Sequence, residues 1–313
     1  MRTAEENPPP PGVDYIDRVN RAIDFVVANL DRAHRLDEMA EAACFSPFHF
    51  HRIFKAVVGE TPNQFVKRLR LERAVSIMTH EPNRSLTDVA FACGFASSAD
   101  FSRSFKQRYG SPPSAFDVQA WRDANRDGLG EFIGSHLEGL RVERLPAGEN
   151  PDGFEVEIRD LPPRTMAYIR VLDPYRNTGV MDAAERLVAW AEDRGLADGR
   201  WYGYQWDDPE IVALPDCRYD VALEVESVEP AGEIGRQTFP AMQVAQIEMR
   251  GGIDLEMRAL DWLYRTWLPT SRYVPDDLPA FEAWIDRPFA HGTEHFELQI
   301  QIPIRRGDRL PSK

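Results

Sequence analysis

The feature that most constrains the fold of this chain is an internal repeat in its first 120 residues. The segment 36–62 aligns with the segment 86–113 at an offset of about 51 residues. Each copy predicts a short helix, a tight turn and a second helix. Six residues of the first copy match identical residues of the second: Phe50, Arg52, Phe54, Lys55, Gly59 and Pro62 with Phe101, Arg103, Phe105, Lys106, Gly110 and Pro113.

The second helix of each copy has two distinct faces. In the first copy Ser46 and Pro47 fit the N-cap and N1 positions, and in the second copy Gly94 fits the turn. An apolar stripe with helical spacing predicts the buried face of the first copy: Phe50, Ile53, Phe54 and Val57. The opposite stripe points outward and carries the basic residues: Phe48, His51, Arg52 and Lys55, and in the second copy Ala99, Ser102, Arg103 and Lys106.

A helix with one packing face and one basic outward face has the form of a recognition helix that enters the major groove of DNA. Two copies predict two such helices on adjacent turns of the groove, about 34 Å apart. A helix from Thr61 and Pro62 to about Met78 is predicted to join them, and an amphipathic helix at about 14–30 precedes them. The alternative is a duplication with a purely structural role, which the basic outward faces disfavour.

The distribution of charge favours DNA binding by this part of the chain alone. The net charge of the whole chain, −14 at pH 7, argues against binding to nucleic acid. However, residues 1–120 contain 15 Lys and Arg against 15 Asp and Glu, whereas the remaining 193 residues contain 22 against 36. Within 46–110, ten basic residues outnumber five acidic ones. This asymmetry predicts a DNA-binding domain joined to a domain with another role.

Length and composition predict a soluble, cytoplasmic protein of two domains. No apolar run approaches the ~20 residues of a spanning helix, the N-terminus lacks the apolar region of a signal peptide, and three cysteines fit a reducing compartment. We expect a disordered segment at 1–12, a DNA-binding domain at 13–117, a linker with at most one short helix at 118–152, and a second domain at 153–306.

The second domain also contains a duplication, at an offset near 77–79 residues. Each copy predicts a strand, a second strand, a helix that ends near a tryptophan (Trp190 or Trp267), an aromatic-rich strand closed by Asp-x-Pro, and a final alternating strand. The aromatic-rich strands are WYGYQWDDP at 201–209 and FEAWIDRP at 281–288. Two strand-helix-strand-strand units side by side predict an α+β fold with one antiparallel sheet, helices on one face and a concave cleft on the other.

A cleft between two pseudo-repeats is a natural ligand site. Aromatic walls around a carboxylate favour a cationic or hydrogen-bond-donating ligand. Strand alternation places Glu282 and Trp284 on one face, whereas the faces of Tyr204 and Trp206 stay open because the offset is uncertain by one or two residues. The alternative assigns the aromatic residues to the core. The residues that we expect in the cleft are Tyr168, Tyr204, Trp206, Phe281, Glu282 and Trp284.

Residues 14–117 resemble the AraC-type DNA-binding domain throughout, down to the segment GFASSADFSRSFKQRYGSPPSAF. The resemblance implies seven helices and an asymmetric DNA site of roughly two helical turns. It assigns base contacts to Phe48, His51 and Arg52 in the first recognition helix and to Ala99, Asp100 and Arg103 in the second, with Lys55 and Lys106 beside them. Asp100 departs from the family pattern. An acid there is repelled by phosphates, although it could accept a hydrogen bond from cytosine, so we expect the first helix to dominate.

Residues 153–306 resemble the GyrI-like effector-binding domain, including the order of both repeats and the final strand ending in IPI. The same order of domains occurs in Rob-type regulators. The resemblance implies a transcription regulator that binds amphipathic, often cationic, drug-like effectors, with Glu282 facing the pocket. The expected partners are double-stranded DNA, the effector and RNA polymerase, and not a membrane.

No motif for a cofactor, a metal or a nucleophile accompanies these features. His49 and His51 point in different directions on one helix, His291 and His295 fit a solvated pair, and neither a phosphate-binding loop nor a nucleophile elbow occurs. We therefore expect no enzyme activity, no cofactor and no metal. The rival hypothesis is that the GyrI-like domain is a small-molecule hydrolase, with Glu282 as a general acid or base if burial raises its pKa.

Overall fold

The computed structural model describes residues 13–136, 145–146, 148–176 and 178–307. The prediction of a disordered segment at 1–12, and the part of the predicted linker at 137–144, lie outside the described residues. The described N-terminal half contains seven α-helices: α1 Val13–Ala28, α2 Leu36–Ala42, α3 Pro47–Val58, α4 Pro62–His80, α5 Leu86–Ala92, α6 Ser98–Tyr109 and α7 Val118–His136.

The two recognition helices α3 and α6 begin and end at equivalent positions. Pro47 occupies N1 of α3 after Ser46, whose side chain makes no capping hydrogen bond. In α6 the Ser97 side chain accepts a hydrogen bond from the backbone N–H of Asp100, which satisfies one of the free N–H groups of the first turn. Both helices end at a glycine with positive φ, Gly59 and Gly110, a conformation that favours glycine.

Helix α4 belongs to the hydrophobic cores of both helix-turn-helix units. Its first half packs Phe65 and Leu69 against the core around α3, and its second half packs Leu71 and Val75 against the core around α6. Thr61 caps the helix through a hydrogen bond from the backbone N–H of Gln64. A single helix shared by two cores fixes the separation of the two units, as the sequence predicts.

The C-terminal half contains one antiparallel sheet in the order β1-β6-β9-β8-β3-β4-β2-β5, with β7 beside β9. The two repeats meet where β3 pairs with β8, and the first strand of each repeat pairs with the second strand of the other. The single antiparallel sheet predicted from the sequence is confirmed. The strands are β1 Glu157–Leu161, β2 Arg164–Leu172, β3 Trp201–Gln205, β4 Arg218–Val225, β5 Gly235–Phe239, β6 Met242–Gly251, β7 Tyr273–Pro275, β8 Ala280–Trp284 and β9 Phe296–Arg306.

Helices cover one face of this sheet. Helix α8 (Gly179–Glu192) packs on β2 and β4, and α9 (Ile253–Trp262) packs on β6 and β9. Helix α9 continues as a π-helical turn at Leu263–Trp267 and ends in the short α10, Leu268–Thr270. The opposite face carries a cluster of buried aromatic side chains on β3, β5 and β8.

Helix α7 is longer than the sequence predicts, because residues 118–136 form one helix of 19 residues rather than at most a short one. Its buried positions include two arginines, which a hydropathy pattern assigns to solvent. Arg122 pairs with Asp208 at 3.3 Å, Arg126 pairs with Asp261, and the Trp121 indole donates to the backbone oxygen of Ile211 at 3.0 Å. The helix is therefore stabilised by contacts with the C-terminal domain. The domain boundaries themselves stay a prediction.

Direct polar contacts join the two domains. Asp24 of α1 accepts hydrogen bonds from the Tyr168 hydroxyl at 2.6 Å and from Arg170 Nη1 at 2.8 Å. Arg108 of α6 pairs with Asp216 at 3.3 Å. In this conformation these contacts set the orientation of the N-terminal helices relative to the sheet. In the described part of the chain, no helix has the length and apolar character needed to cross a membrane.

Candidate DNA-binding surface and candidate effector cavity

The outward face of α3 is accessible to a partner. Phe48 is 69% exposed, Arg52 and Lys55 are exposed, and His51 is half-buried. The Arg52 guanidinium lies 6.0 Å from the centre of the Phe48 ring, within the range of a cation–π contact. The exposed ring can make apolar contacts with base edges, and the guanidinium beside it can make bidentate hydrogen bonds with them.

The outward face of α6 presents the equivalent residues but contains an acid. Ala99, Arg103 and Lys106 are exposed, and Asp100 is half-buried in the first turn. The Asp100 carboxylate lies 3.8 Å from Nη2 of Arg103. The acid is favourable at the positive end of the helix dipole, and it partly neutralises the arginine that the sequence assigns to base contact.

A cavity of about 540 Å³ lies on the helix-bearing side of the sheet, between α8 and α9 and above the pairing of β3 with β8. The prediction of a cleft on the opposite face is therefore wrong. Of the residues expected in the cleft, Glu282, Trp284 and Trp206 line the cavity. Tyr168, Tyr204 and Phe281 instead lie on the other face, buried in the aromatic cluster. Tyr204 and Phe281 alternate along their strands with Gln205 and Glu282, so they point away from the cavity.

Trp206 lies just beyond the end of β3, between the cavity and the aromatic cluster. Its indole N–H donates to Asp220 at 2.6 Å, and its ring stacks on Phe239 with centres 6.2 Å apart. Trp284 packs on Phe289 and Phe296, with ring centres 5.2 and 5.7 Å away. Phe289 has a φ of 60°, which is strained for an aromatic residue and is typical of a functional site.

Two buried carboxyl groups, those of Glu282 and Glu256, line the cavity. Glu282 is 6% exposed and accepts hydrogen bonds from Gln205 Nε2 at 2.6 Å and from the Tyr219 hydroxyl at 2.8 Å. Glu256 of α9 is 5% exposed, and it lies close enough to Glu282 for the two carboxyls to interact. Burial raises the pKa of both groups, most strongly that of Glu256, where the charge of Glu282 adds to the effect. The proximity of the two carboxyls therefore disfavours ionisation of both at once.

Gly203 makes room for this arrangement. Gly203 pairs with Val221 and Glu282 pairs with Ile300, so the glycine and the glutamate occupy equivalent positions of the two repeats at an offset of 79 residues. A Cβ at Gly203 would collide with the Tyr219 hydroxyl and would lie 3.0 Å from Glu282 Oε2. One repeat therefore supplies the acid and the other supplies the space that the acid needs.

Gln205, Tyr219 and Glu256 are cavity residues that the sequence analysis missed. A signal for Glu256 exists, because it lies on the apolar stripe of α9 with Ile253, Met257 and Leu260, and an acid on a buried stripe is unusual. Tyr219 lies between buried residues of β4. Its proximity to Glu282 depends on the pairing of the strands, which the sequence does not determine. Among the described residues, no group of three or more potential ligands could hold a metal ion.

Two family models match the chain. A helix-turn-helix domain matches residues 39–119, and a GyrI-like small-molecule-binding domain matches residues 154–305. A DNA gyrase inhibitor of Serratia proteamaculans is 30% identical over 157 residues, which cover 49% of this chain and 99% of that protein. The HTH-type transcriptional regulator YbfP of Bacillus subtilis is 30% identical over 46% of this chain and 47% of its own length.

Further relatives and solved structures match smaller or larger shares of the chain. The HTH-type transcriptional activator RhaS of Escherichia fergusonii is 32% identical over 34% of this chain and 38% of its own length. The chain therefore covers less than half the length of YbfP and of RhaS. Among solved structures, the DNA-binding domain of AdpA in complex with a target DNA is 25% identical, with 36% of this chain and 99% of that chain covered and a TM-score of 0.31. EcmrR in its complex with DNA is 12% identical, with 88% and 100% covered and a TM-score of 0.42.

Proposed function

The chain belongs to the GyrI-like small-molecule-binding family and carries an AraC-type helix-turn-helix domain before that domain, and from this premise we propose that it regulates transcription in response to a small amphipathic cation bound around Glu282. It is a DNA-binding regulator with a small-molecule-binding domain. Three points of this function are proposals: the charge of the effector, the residues that contact each partner, and the involvement of RNA polymerase.

The observation that supports a cationic effector is the buried carboxyl pair. Among the described residues, neither Glu282 nor Glu256 forms an ion pair with a basic side chain, whereas the arginines around the cavity, such as Arg126 and Arg218, pair with acids. Burying a carboxylate without a counter-charge is costly. A cation that enters the cavity offsets this cost, and the rings of Trp284 and Phe289 add cation–π attraction. A neutral or anionic ligand gains neither the charge compensation nor the cation–π attraction.

For the DNA partner, we propose that α3 and α6 enter adjacent turns of the major groove. Phe48, His51 and Arg52 would read bases from α3, and Ala99, Asp100 and Arg103 from α6. Lys55 and Lys106 would contact phosphates, which position the protein without reading sequence. RNA polymerase is the proposed protein partner, and the cytoplasm is the proposed compartment, because a regulator of transcription acts where its target DNA lies.

The test combines DNA selection with a search for catalysis. The purified protein is used to select duplexes from a random pool, and the selected sequences are determined. The proposal expects a recurring asymmetric site, and a pool without any enriched sequence would contradict it. Incubation with candidate ligands, followed by mass measurement, tests the hydrolase hypothesis, for which the matched families offer no support. Unchanged ligand mass is expected of a sensor, whereas product formation would indicate an enzyme.

A further inference from the structure

We infer that helix α4 of the DNA-binding domain forms one wall of the effector cavity, so that the effector touches the helix that separates the two recognition helices. The inference rests on the proposed function, since it assigns the remaining part of the same cavity. It also specifies the effector further. The charged group of the effector lies at Glu282, and an apolar extension of the effector reaches the DNA-binding domain.

Side chains of α4 line the cavity along one face of the helix. They recur at positions three and four apart, which is the spacing of neighbours on a helix surface. Other parts of the chain hold α4 in this position: Arg73 pairs with Asp277, and the His80 ring lies 5.7 Å from the ring of Tyr264. The lining residues of α4 are Leu69, Glu72, Arg73, Ser76 and His80.

The part of the cavity near α4 combines leucine side chains with charged groups that pair with one another, whereas the carboxyls at Glu282 form no ion pair among the described residues. Leu30 in the turn after α1, Leu69 of α4 and Leu129 of α7 are buried and line the part near α4. The arginines and acids in the same wall satisfy one another, as in the pair of Glu72 with Arg68 at 3.2 Å. An apolar group is therefore favoured here and a second charge is not. The cavity fits a cation with an aliphatic extension better than a compact cation.

Contact with α4 gives the effector a direct route to the DNA-binding surface. Phe65 and Leu69 belong to the core beneath α3, and Leu71 and Val75 belong to the core beneath α6. A shift of α4 on effector binding must therefore change the separation or tilt of the two recognition helices, because packed cores do not deform freely. Effector and DNA affinities are then coupled by the same factor in both directions.

The test uses two probe cations and the full chain. Benzyltrimethylammonium carries the charged and aromatic part, and benzyldimethylhexylammonium adds a hexyl chain. Each buried methylene contributes about threefold to fourfold in affinity, so the hexyl probe should bind the wild type at least about tenfold more tightly. Replacing Ser76 with Trp or, more mildly, with Leu fills the space beside α4 and should abolish this gain, because the affinity for the hexyl probe falls more than that for benzyltrimethylammonium.

The matched control is Lys67→Trp. Lys67 is exposed and lies nine residues from Ser76, on the opposite side of α4, so its replacement should preserve the gain. Thermal unfolding of each variant checks that the fold is intact, and Ser76→Leu provides the test if Ser76→Trp is unstable. A hexyl gain that persists in both Ser76 variants, or that is absent in the wild type, would overturn the inference.

The Glu282→Gln variant separates this inference from the proposed function. It should weaken both probes by a similar factor and leave the ratio between them unchanged. If Glu282→Gln has no effect while Ser76→Trp removes the hexyl gain, the cation site is misplaced and the contact with α4 stands. If Glu282→Gln weakens both probes and Ser76→Trp changes nothing, the cation site stands and the contact with α4 is wrong. Failure of both probes to bind the wild type contradicts both.

Discussion

Glu282 is the residue on which the ligand chemistry of the sensor domain depends most. It faces the cavity from the centre of the sheet, and Gln205 and Tyr219 fix the position of its carboxylate through hydrogen bonds. Both donors are neutral, so they orient the carboxylate without neutralising it. The negative charge stays available to a ligand that enters the cavity.

Replacing Glu282 with Gln tests this role because the amide keeps the shape of the side chain and removes its charge. For a desolvated cation the loss of binding free energy should be about 1.5–3 kcal/mol, the range for a hydrogen bond to a charged group. A neutral ligand of the same shape should lose much less. Quenching of tryptophan emission, with Trp284 beside the ligand, follows the binding. Equal losses for cationic and neutral ligands would contradict the assignment.

The raised pKa of Glu256 and of Glu282 predicts a pH dependence of ligand binding. Burial raises the pKa of both carboxyls, so the pair keeps a proton at pH values where an ordinary glutamate is ionised. A cation favours the ionised pair, so its affinity should rise with pH and level off once the pair is ionised. In the absence of ligand, the protonated pair contributes to the free energy of unfolding, and this contribution falls as the pH rises through the same range. Titrations at several pH values measure the rise, Glu256→Gln should reduce it, and an affinity that falls with pH would contradict the role of the two carboxyls.

Arg52 and Lys55 separate base reading from phosphate contact on one helix. Arg52→Ala should weaken binding to the selected site by about 1–3 kcal/mol, the value of a bidentate contact with guanine. Lys55→Ala should weaken all duplexes similarly and flatten the dependence of affinity on salt. Titration of selected and scrambled duplexes at two salt concentrations measures both effects. Unchanged specific affinity in Arg52→Ala would mean that the recognition face of α3 is assigned incorrectly.

At the scale of elements, the two recognition helices are equivalent in backbone and unequal in chemistry. Both have 12 residues and end at a glycine. However, α3 exposes Phe48 and Arg52 without an acid among its four outward residues, whereas α6 has Asp100 beside Arg103. The second helix should therefore attract phosphates less and contribute less to specificity.

Replacing Asp100 with Asn should raise the affinity for all duplexes, because the substitution removes repulsion from phosphates and frees the Arg103 guanidinium. The asparagine side chain keeps the size of the aspartate. Removing the charge gives up the favourable interaction with the helix dipole, about 0.3–1 kcal/mol of helix stability. Binding titrations of several duplexes would measure the change. An equal or lower affinity would show that Asp100 has a favourable role, either in a contact with a base or in positioning Arg103.

The elements that the sequence predicts well are those with a strong periodic pattern. The stripe Phe50, Ile53, Phe54 and Val57 packs inward in α3, and the alternating segments of the second half form the expected strands. Helix α7 departs from the expectation because its buried face uses Arg122 and Arg126, whose partners lie some 85–135 residues away. Charged side chains that are buried by distant partners leave no local pattern, so hydropathy assigns them to solvent.

At the scale of the whole molecule, the cavity belongs to both domains. Sequence alternation can separate Glu282 and Trp284 from their neighbours Phe281 and Ala283. It leaves open which face the helices cover and which strands pair, and these two facts move Tyr168, Tyr204 and Phe281 into the core. Nor does the sequence reveal that α4 closes the cavity, because that contact arises only when the two domains dock through Asp24, Arg73 and Arg108.

The central claim is that a cation in the cavity changes DNA binding, and one titration tests it directly. The affinity of the full chain for its selected duplex is measured without benzyldimethylhexylammonium and at a saturating concentration of this probe, for the wild type and for Glu282→Gln. We predict that the probe shifts the wild-type affinity by about fivefold or more, within the usual range of coupling between two sites, and that much more of it is needed for Glu282→Gln. An identical duplex affinity with and without saturating probe in the wild type would contradict the claim.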